Sequence, residues 1–155
     1  MDSSRRQALK TGGGMTLMGA LFAAGLLKPG TAAAQWNQAA FATKSMGDTL
    51  KALGGSGAAD STDIIITAPN IAENGAVVPV SVQSNIPKTE SIAILIEKNP
   101  NMLAASFDIP AGTDPNVGTR VKMGQTSDVY AIVKADGMFY KAVKEVKVTL
   151  GGCGG

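Results

Sequence analysis

The chain contains no histidine and a single cysteine. The first absence removes Cys-His and Ser-His-Asp nucleophilic catalysis, because no imidazole is present to act as base. It also removes most zinc and copper centres, since one thiolate cannot complete a soft ligand set. No glycine loop followed by Lys-Ser/Thr is present to cradle a phosphate. No apolar run reaches the ~20 residues of a bilayer-spanning helix. The carboxylates are scattered over Asp60, Asp63, Glu73, Glu90, Glu97, Asp108, Asp114, Asp128, Asp136 and Glu145. Most stand at expected turns or strand ends, which reads as solubility and capping. A glycosidase-like acid pair is the minor alternative.

Residues 1–34 have the three parts of an export signal. Arg5, Arg6 and Lys10 precede an apolar stretch from Gly12 to Leu27, and Ala32-Ala33-Ala34 supply small residues for cleavage. That apolar stretch, closed by Lys28 and Pro29, is ~16 residues long, which is short for a retained anchor. Ser4-Arg5-Arg6-Gln7-Ala8-Leu9-Lys10 resembles a twin-arginine signal, although Ala8 stands where phenylalanine is common. That route moves folded cargo; the general secretory route with a chance arginine pair is the alternative. Removing this segment takes away four basic residues (Arg5, Arg6, Lys10, Lys28) and the acidic Asp2, leaving ten basic against eleven acidic. The near-neutral remainder has no electrostatic footprint for nucleic acid, and no membrane attachment is expected after cleavage.

From Trp36 to Leu53 the pattern predicts a helix, with Met46, Leu50 and Leu53 on one face and Gly54-Gly55 as its stop. Residues 54–61 read as a small polar linker, so 35–61 form a helix and linker. Beyond Thr62 the period becomes two. Strands are expected over Thr62–Thr67, Ala76–Ser84, Glu90–Lys98, Leu103–Ile109, Thr119–Met123, Ser127–Ala135 and Met138–Leu150. Pro79 lacks a backbone donor and places its strand at an edge or bulge. Asn74-Gly75 and Asp136-Gly137 are expected to supply the positive φ of tight turns. Ile92 to Ile96 is apolar on both faces, which suits a central strand covered on both sides or one packed against a partner. Seven short strands over residues 62–150 predict an all-β, immunoglobulin-like sandwich, preceded by a helix and followed by a flexible arm. Such folds serve many functions.

The arm is Gly151-Gly152-Cys153-Gly154-Gly155. Four glycines around one thiol make poor architecture and a slim, mobile tether. A lone cysteine in an exported chain has no internal partner, so it is either a reactive thiol or an intermolecular bridge. A free thiol ionises near pH ~8.5. No cation lies in the tail to lower that, and the carboxylate of Gly155 opposes ionisation. The thiol therefore awaits activation by another protein, as in a swinging-arm carrier. Two other readings stand beside it: an exported structural module joined through a Cys153 disulfide, and a thiol peroxidase activated by an approach of Arg120.

Val146-Lys147-Val148-Thr149-Leu150 leading into Gly151–Gly155 resembles the C-terminus of the SoxY family, the sulfur carriers of bacterial thiosulfate oxidation. Ala68-Pro69-Asn70-Ile71-Ala72-Glu73-Asn74-Gly75-Ala76-Val77-Val78-Pro79-Val80 is similar to the same family. So are Lys98-Asn99-Pro100-Asn101, Ala104-Ala105-Ser106-Phe107 and Arg120-Val121-Lys122-Met123. The resemblance implies a periplasmic protein that is not itself an enzyme and needs no cofactor. It implies that Cys153 holds thiosulfate-derived sulfur on the glycine arm. It implies a heterodimer with SoxZ, loading by the haem enzyme SoxAX, hydrolysis by SoxB and, in some systems, oxidation by SoxCD.

Overall fold

The computed structural model describes residues 37–149. The predicted signal over 1–34 and the Gly151–Gly155 arm with Cys153 lie outside the described residues, as do Trp36 and Leu150. Among the described residues, nine strands follow two short helices. Strands β1 (Ala59–Asp60), β3 (Ile71–Ala72), β5 (Thr89–Ile96), β6 (Leu103–Asp108), β8 (Ser127–Ala135) and β9 (Met138–Val148) make a six-stranded sheet. Its path runs β1-β9-β8-β5-β6, with β3 also paired to β9. Strands β2 (Ile64–Thr67), β4 (Val78–Ser84) and β7 (Asn116–Val121) make the second sheet, in the order β2-β4-β7.

Alternation in the sequence builds the core between the sheets. Val78, Val80 and Val82 of β4 are buried while Pro79, Ser81 and Gln83 are exposed. They face Ile92, Ile94 and Ile96 of β5 and Val129, Ala131 and Val133 of β8. The sandwich class expected from period-two patterning is thus the observed architecture. Each fully buried Val or Ile contributes about 1.5–3 kcal/mol of hydrophobic stabilisation.

The helical expectation needs correction. Instead of one helix from Trp36 to Leu53 there are two, α1 (Gln38–Phe41) and α2 (Met46–Ala52). Side chains at the break offer the backbone other partners. Thr43 Oγ1 donates to the carbonyl of Ala40 at 2.6 Å, and the Thr43 carbonyl accepts from the Met102 amide at 2.9 Å. Ser45 then caps α2 by accepting from the Asp48 amide at 3.1 Å. Ser45→Ala is expected to cost about 1 kcal/mol, read as a small loss in thermal unfolding without change in the β-sheet signal. Helix α2 ends in a Schellman motif, with Gly55 N–H on the Leu50 carbonyl at 2.7 Å and Gly54 N–H on Lys51 at 3.0 Å. Gly54 takes the required positive φ of 90°.

The helices lie on the outer face of the six-stranded sheet. Ala40 and Leu50 pack with Ala93, Leu95, Leu103, Ile132 and Phe139. This explains why β5 is apolar on both faces: Ile92, Ile94 and Ile96 serve the sandwich core and Ala93 and Leu95 the helical side. The chain's own helices, not a partner, cover that face. Among the described residues no helix covers the outer face of the three-stranded sheet, and Ile65, Pro79, Ser81, Gln83 and Arg120 are exposed there.

Three further expectations change. The supposed linker over 54–61 contains β1, which pairs in parallel with Tyr140 and Lys141 of β9. The two-residue β3 pairs in parallel with Lys147 and Val148, too short to leave a period in the sequence. Strand β4 is central, not an edge. Its pairing with β2 nevertheless stops at Thr67 opposite Ser81, so Pro79 has only Arg120 of β7 beside it. The missing proline N–H costs no ladder bond there. The boundaries of β2, β4, β6 and β9 fall inside the expected spans, β5 begins one residue earlier than expected, at Thr89, and β7 begins earlier, at Asn116. The β8–β9 hairpin turns as expected, with Asp136 at φ 49° and Gly137 at φ 76°.

Candidate functional site at the exit of strand β9

The last described residue, Thr149, stands four residues before Cys153. Two segments hold the strand that ends there. On one edge, the Lys147 amide donates to the Asn70 carbonyl at 3.0 Å and the Thr149 amide to the Ala72 carbonyl at 3.1 Å. On the other, the Val148 amide donates to Thr126 Oγ1 at 3.0 Å. The loop carrying Thr126 is itself tied back by the Met123 amide on the Gly75 carbonyl at 2.7 Å. Asn99 Nδ2 donates to the Lys122 carbonyl at 2.8 Å and fixes the same loop. Consecutive backbone donors of β9 are therefore satisfied alternately left and right, up to the end of the described chain.

Gly75 sits at the centre of this arrangement. A Cβ placed there would press against the Met123 carbonyl oxygen and lie 2.9 Å from Val148 Cγ1. Gly75 is not among the glycines with positive φ. The expectation that Asn74-Gly75 supplies a left-handed turn is thus corrected: the position needs a missing side chain, not a special dihedral angle. Asn74 still shapes the turn, accepting from the Ala76 amide through Oδ1 at 2.9 Å.

Cys153, Gly151, Gly152, Gly154 and Gly155 lie outside the described residues, so the structure places their point of departure. Four residues of chain separate Thr149 from Cys153, at most about 14 Å when extended. Of the other residue once considered for thiol activation, Arg120 lies on the outer face of the three-stranded sheet, opposite Pro79. Sequence reasoning passed over Thr126, and it named Asn70 and Ala72 only within a segment that resembles the family, with no role at the exit. A single threonine whose hydroxyl replaces one strand partner leaves no local pattern, and β3 is too short to show one.

Few groups of unusual chemistry occur elsewhere among the described residues. No cluster of three or more potential metal ligands occurs among them, and none of their helices is long and apolar enough to cross a membrane. Two side chains have displaced pKa values, and neither lies at the exit. The Glu90 carboxyl is held below its usual value by the Lys134 ammonium at 2.7 Å, helped by the Gly137 amide at 3.1 Å. Glu90 is the residue bulged out between the Thr89–Ala135 and Ser91–Lys134 pairs, at the hairpin end of the sheet. Burial, with the carboxylates of Glu97 and Asp128, pushes the Tyr130 hydroxyl up. A cleft of about 610 Å³ lies between residues 84–90 and 109–115. It too belongs to the hairpin end, about 33 Å along β9 from the exit at strand spacing.

The family model described as "Sulfur oxidation protein SoxY" matches residues 50–153 of this chain. Among solved structures, the sulfur carrier protein SoxY from Chlorobium limicola f thiosulfatophilum is 41% identical, with TM-score 0.59. That match covers 66% of this chain and 96% of the other. A chain from a structure of T cell activation by the bacterial superantigen toxic shock syndrome toxin-1 is 11% identical, with TM-score 0.40, over 56% of this chain and 99% of the other. The human F-spondin reeler domain is 11% identical, with TM-score 0.39, over 59% and 92%. These last two similarities are too low to carry an argument. No curated protein matches the sequence.

Proposed function

The chain belongs to the SoxY family of sulfur oxidation proteins, and from that premise we propose that it is the covalent sulfur carrier of a thiosulfate-oxidising system, with Cys153 as the attachment point. The observation that carries this reading is the extent of the family match, which runs from Leu50 through the sandwich to Cys153 itself. A rigid exit followed by glycines suits a carrier. The domain fixes where the tether begins, and the tether lets one sulfur visit several active sites.

The chemistry begins with the Cys153 thiol and thiosulfate. A sulfur–sulfur bond forms between them, one proton leaves and two electrons pass to an acceptor, giving a Cys153-S-S-sulfonate. A haem enzyme of the SoxAX type supplies that acceptor. Water then attacks the sulfonate sulfur in a SoxB-type hydrolase. Sulfate departs with two protons released, and Cys153 keeps a persulfide. A SoxCD-type dehydrogenase oxidises the outer sulfur where such an enzyme is present. The carrier contributes no catalytic base and no cofactor of its own. SoxZ is its structural partner, and the periplasm is the compartment, reached as a folded pair by the twin-arginine route that residues 4–10 resemble.

Intact mass tests the assignment. Incubation of the chain from residue 35 onward with thiosulfate and a periplasmic extract is expected to add sulfane or thiosulfonate mass at Cys153. Disulfide dimer alone would mark a structural module, and sulfenic acid products would mark a peroxidase. The glycines give a second check. Gly152→Val is expected to slow enzymatic turnover on the order of tenfold or more, since small misplacements at a reacting centre carry penalties of that size. Alkylation of the thiol by a small reagent should stay at the wild-type rate. Equal turnover in the variant would remove the argument from clearance.

A further inference from the structure

We propose that Asn74-Gly75 is a site of spontaneous covalent modification: the Gly75 amide closes on the Asn74 side chain, ammonia is lost, and the isoaspartate that follows loosens the clamp on the end of β9. The inference concerns the loop beside the exit and needs nothing from the carrier reading of Cys153.

Ring closure requires a backbone nitrogen that reaches the side-chain carbonyl carbon of the residue before it. Bulk on the following residue hinders that approach, and a proline there has no N–H to lose. Asn74 is the only asparagine that precedes glycine; the others precede Gln38, Ile71, Ile86, Pro100, Met102 and Val117. Asparagine belongs to the thermolabile residues for this reason. The fold leaves the site open. Asn74 and Ala76 are exposed, and the Gly75 amide donates no hydrogen bond among the described residues. Asp136-Gly137 could form the same ring, but the Gly137 amide is engaged by Glu90 Oε1 at 3.1 Å. The electrophile at Asn74 is also prepared. Its Oδ1 accepts from the Ala76 amide at 2.9 Å, an Asx turn that folds the side chain back over Gly75. The same N–H faces the negative charge that builds on Oδ1 as the carbon–nitrogen bond forms.

The reaction involves no oxidation. Solvent base takes the Gly75 amide proton, a bond forms between Gly75 N and Asn74 Cγ, and the side-chain nitrogen leaves as ammonia with a proton from water. Water then opens the succinimide. Cleavage of the new bond gives aspartate. Cleavage of the original peptide bond gives isoaspartate, whose main chain runs through the former side chain. Both products put a carboxylate next to Glu73, and only isoaspartate adds a methylene to the main chain. That insertion falls in a tight place. The Gly75 carbonyl accepts from the Met123 amide at 2.7 Å, and a Cβ at Gly75 would lie 2.9 Å from Val148 Cγ1. A displaced Gly75 frees the loop that carries Thr126, and with it the hydroxyl that holds the Val148 amide at 3.0 Å.

The test ages the chain from residue 35 onward in buffer, without thiosulfate or enzymes of sulfur oxidation. Peptide mapping, with a protein isoaspartate methyltransferase as the probe, is expected to find isoaspartate at position 74 before any other asparagine has reacted. The rate should rise in proportion to hydroxide. Asn74→Gln should lose the signal, since its ring would be one atom larger. Amide exchange at Val148 and Thr149 should be about fivefold faster in the isoaspartate fraction than in unaged protein, the scale of one lost hydrogen bond. It should stay at the unaged level in aged Asn74→Gln and in fresh Asn74→Asp, which carries the charge without the insertion. Earlier reaction at Asn70, Asn101, Asn116 or Asp136 would overturn the choice of site. Unchanged exchange in the isoaspartate fraction would overturn the link to the exit. Equal acceleration in fresh Asn74→Asp would overturn main-chain insertion as its cause.

Discussion

Cys153→Ser is expected to abolish thiosulfate-dependent turnover completely while leaving the unfolding transition where it was. A serine hydroxyl forms no sulfur–sulfur bond, so no adduct exists for later enzymes to act on. The fold should be indifferent, because its cores are built from residues between Ala40 and Val146. Turnover measured in a reconstituted system, together with a thermal melt, checks both halves. A retained rate in the serine variant would remove Cys153 from the chemistry.

Gly75→Ala is the substitution expected to damage the domain most near the exit. The new methyl meets the Met123 carbonyl oxygen, a backbone atom held by the neighbouring strands, and the Val148 side chain. Neither yields without disturbing the 122–126 loop or the end of β9. Overpacking of this kind costs about 1–3 kcal/mol. Chemical denaturation should show a lower midpoint with an unchanged slope. Hydrogen exchange at Lys147, Val148 and Thr149 should rise more than at the centre of β8, since local opening is easiest where the clamp is lost. Uniform exchange across the sheet would show that the glycine matters to global packing and not to the exit.

Much of this was legible in the residues. Valines at 78, 80 and 82 announced β4 through their period, and Asp136-Gly137 announced the hairpin because both positions need positive φ. The thiol and its glycines lie outside the described residues, and their reading as a tether belongs to the proposed function. What the sequence hid was tertiary in origin. The break between α1 and α2 depends on Met102 taking the Thr43 carbonyl, a bond between residues 59 apart in the chain. Strands β1 and β3 exist because β9 offers them an edge; two residues cannot carry a pattern of their own. The role of Gly75 lay in the proximity of Met123 and Val148, which no local window contains. Pro79 misled for a related reason: its strand is central, yet the neighbour ends two residues short of it.

The way β9 is bonded also governs how the domain answers force. A pull on the chain at Thr149 acts along the strand axis. Ladder bonds to β8 run from Ser127–Val146 to Ala135–Met138, and those to β3 lie beside the pulled end. Tension in that direction loads them together in shear instead of peeling them one at a time. The sandwich is thus built as a mechanical anchor at the end of β9.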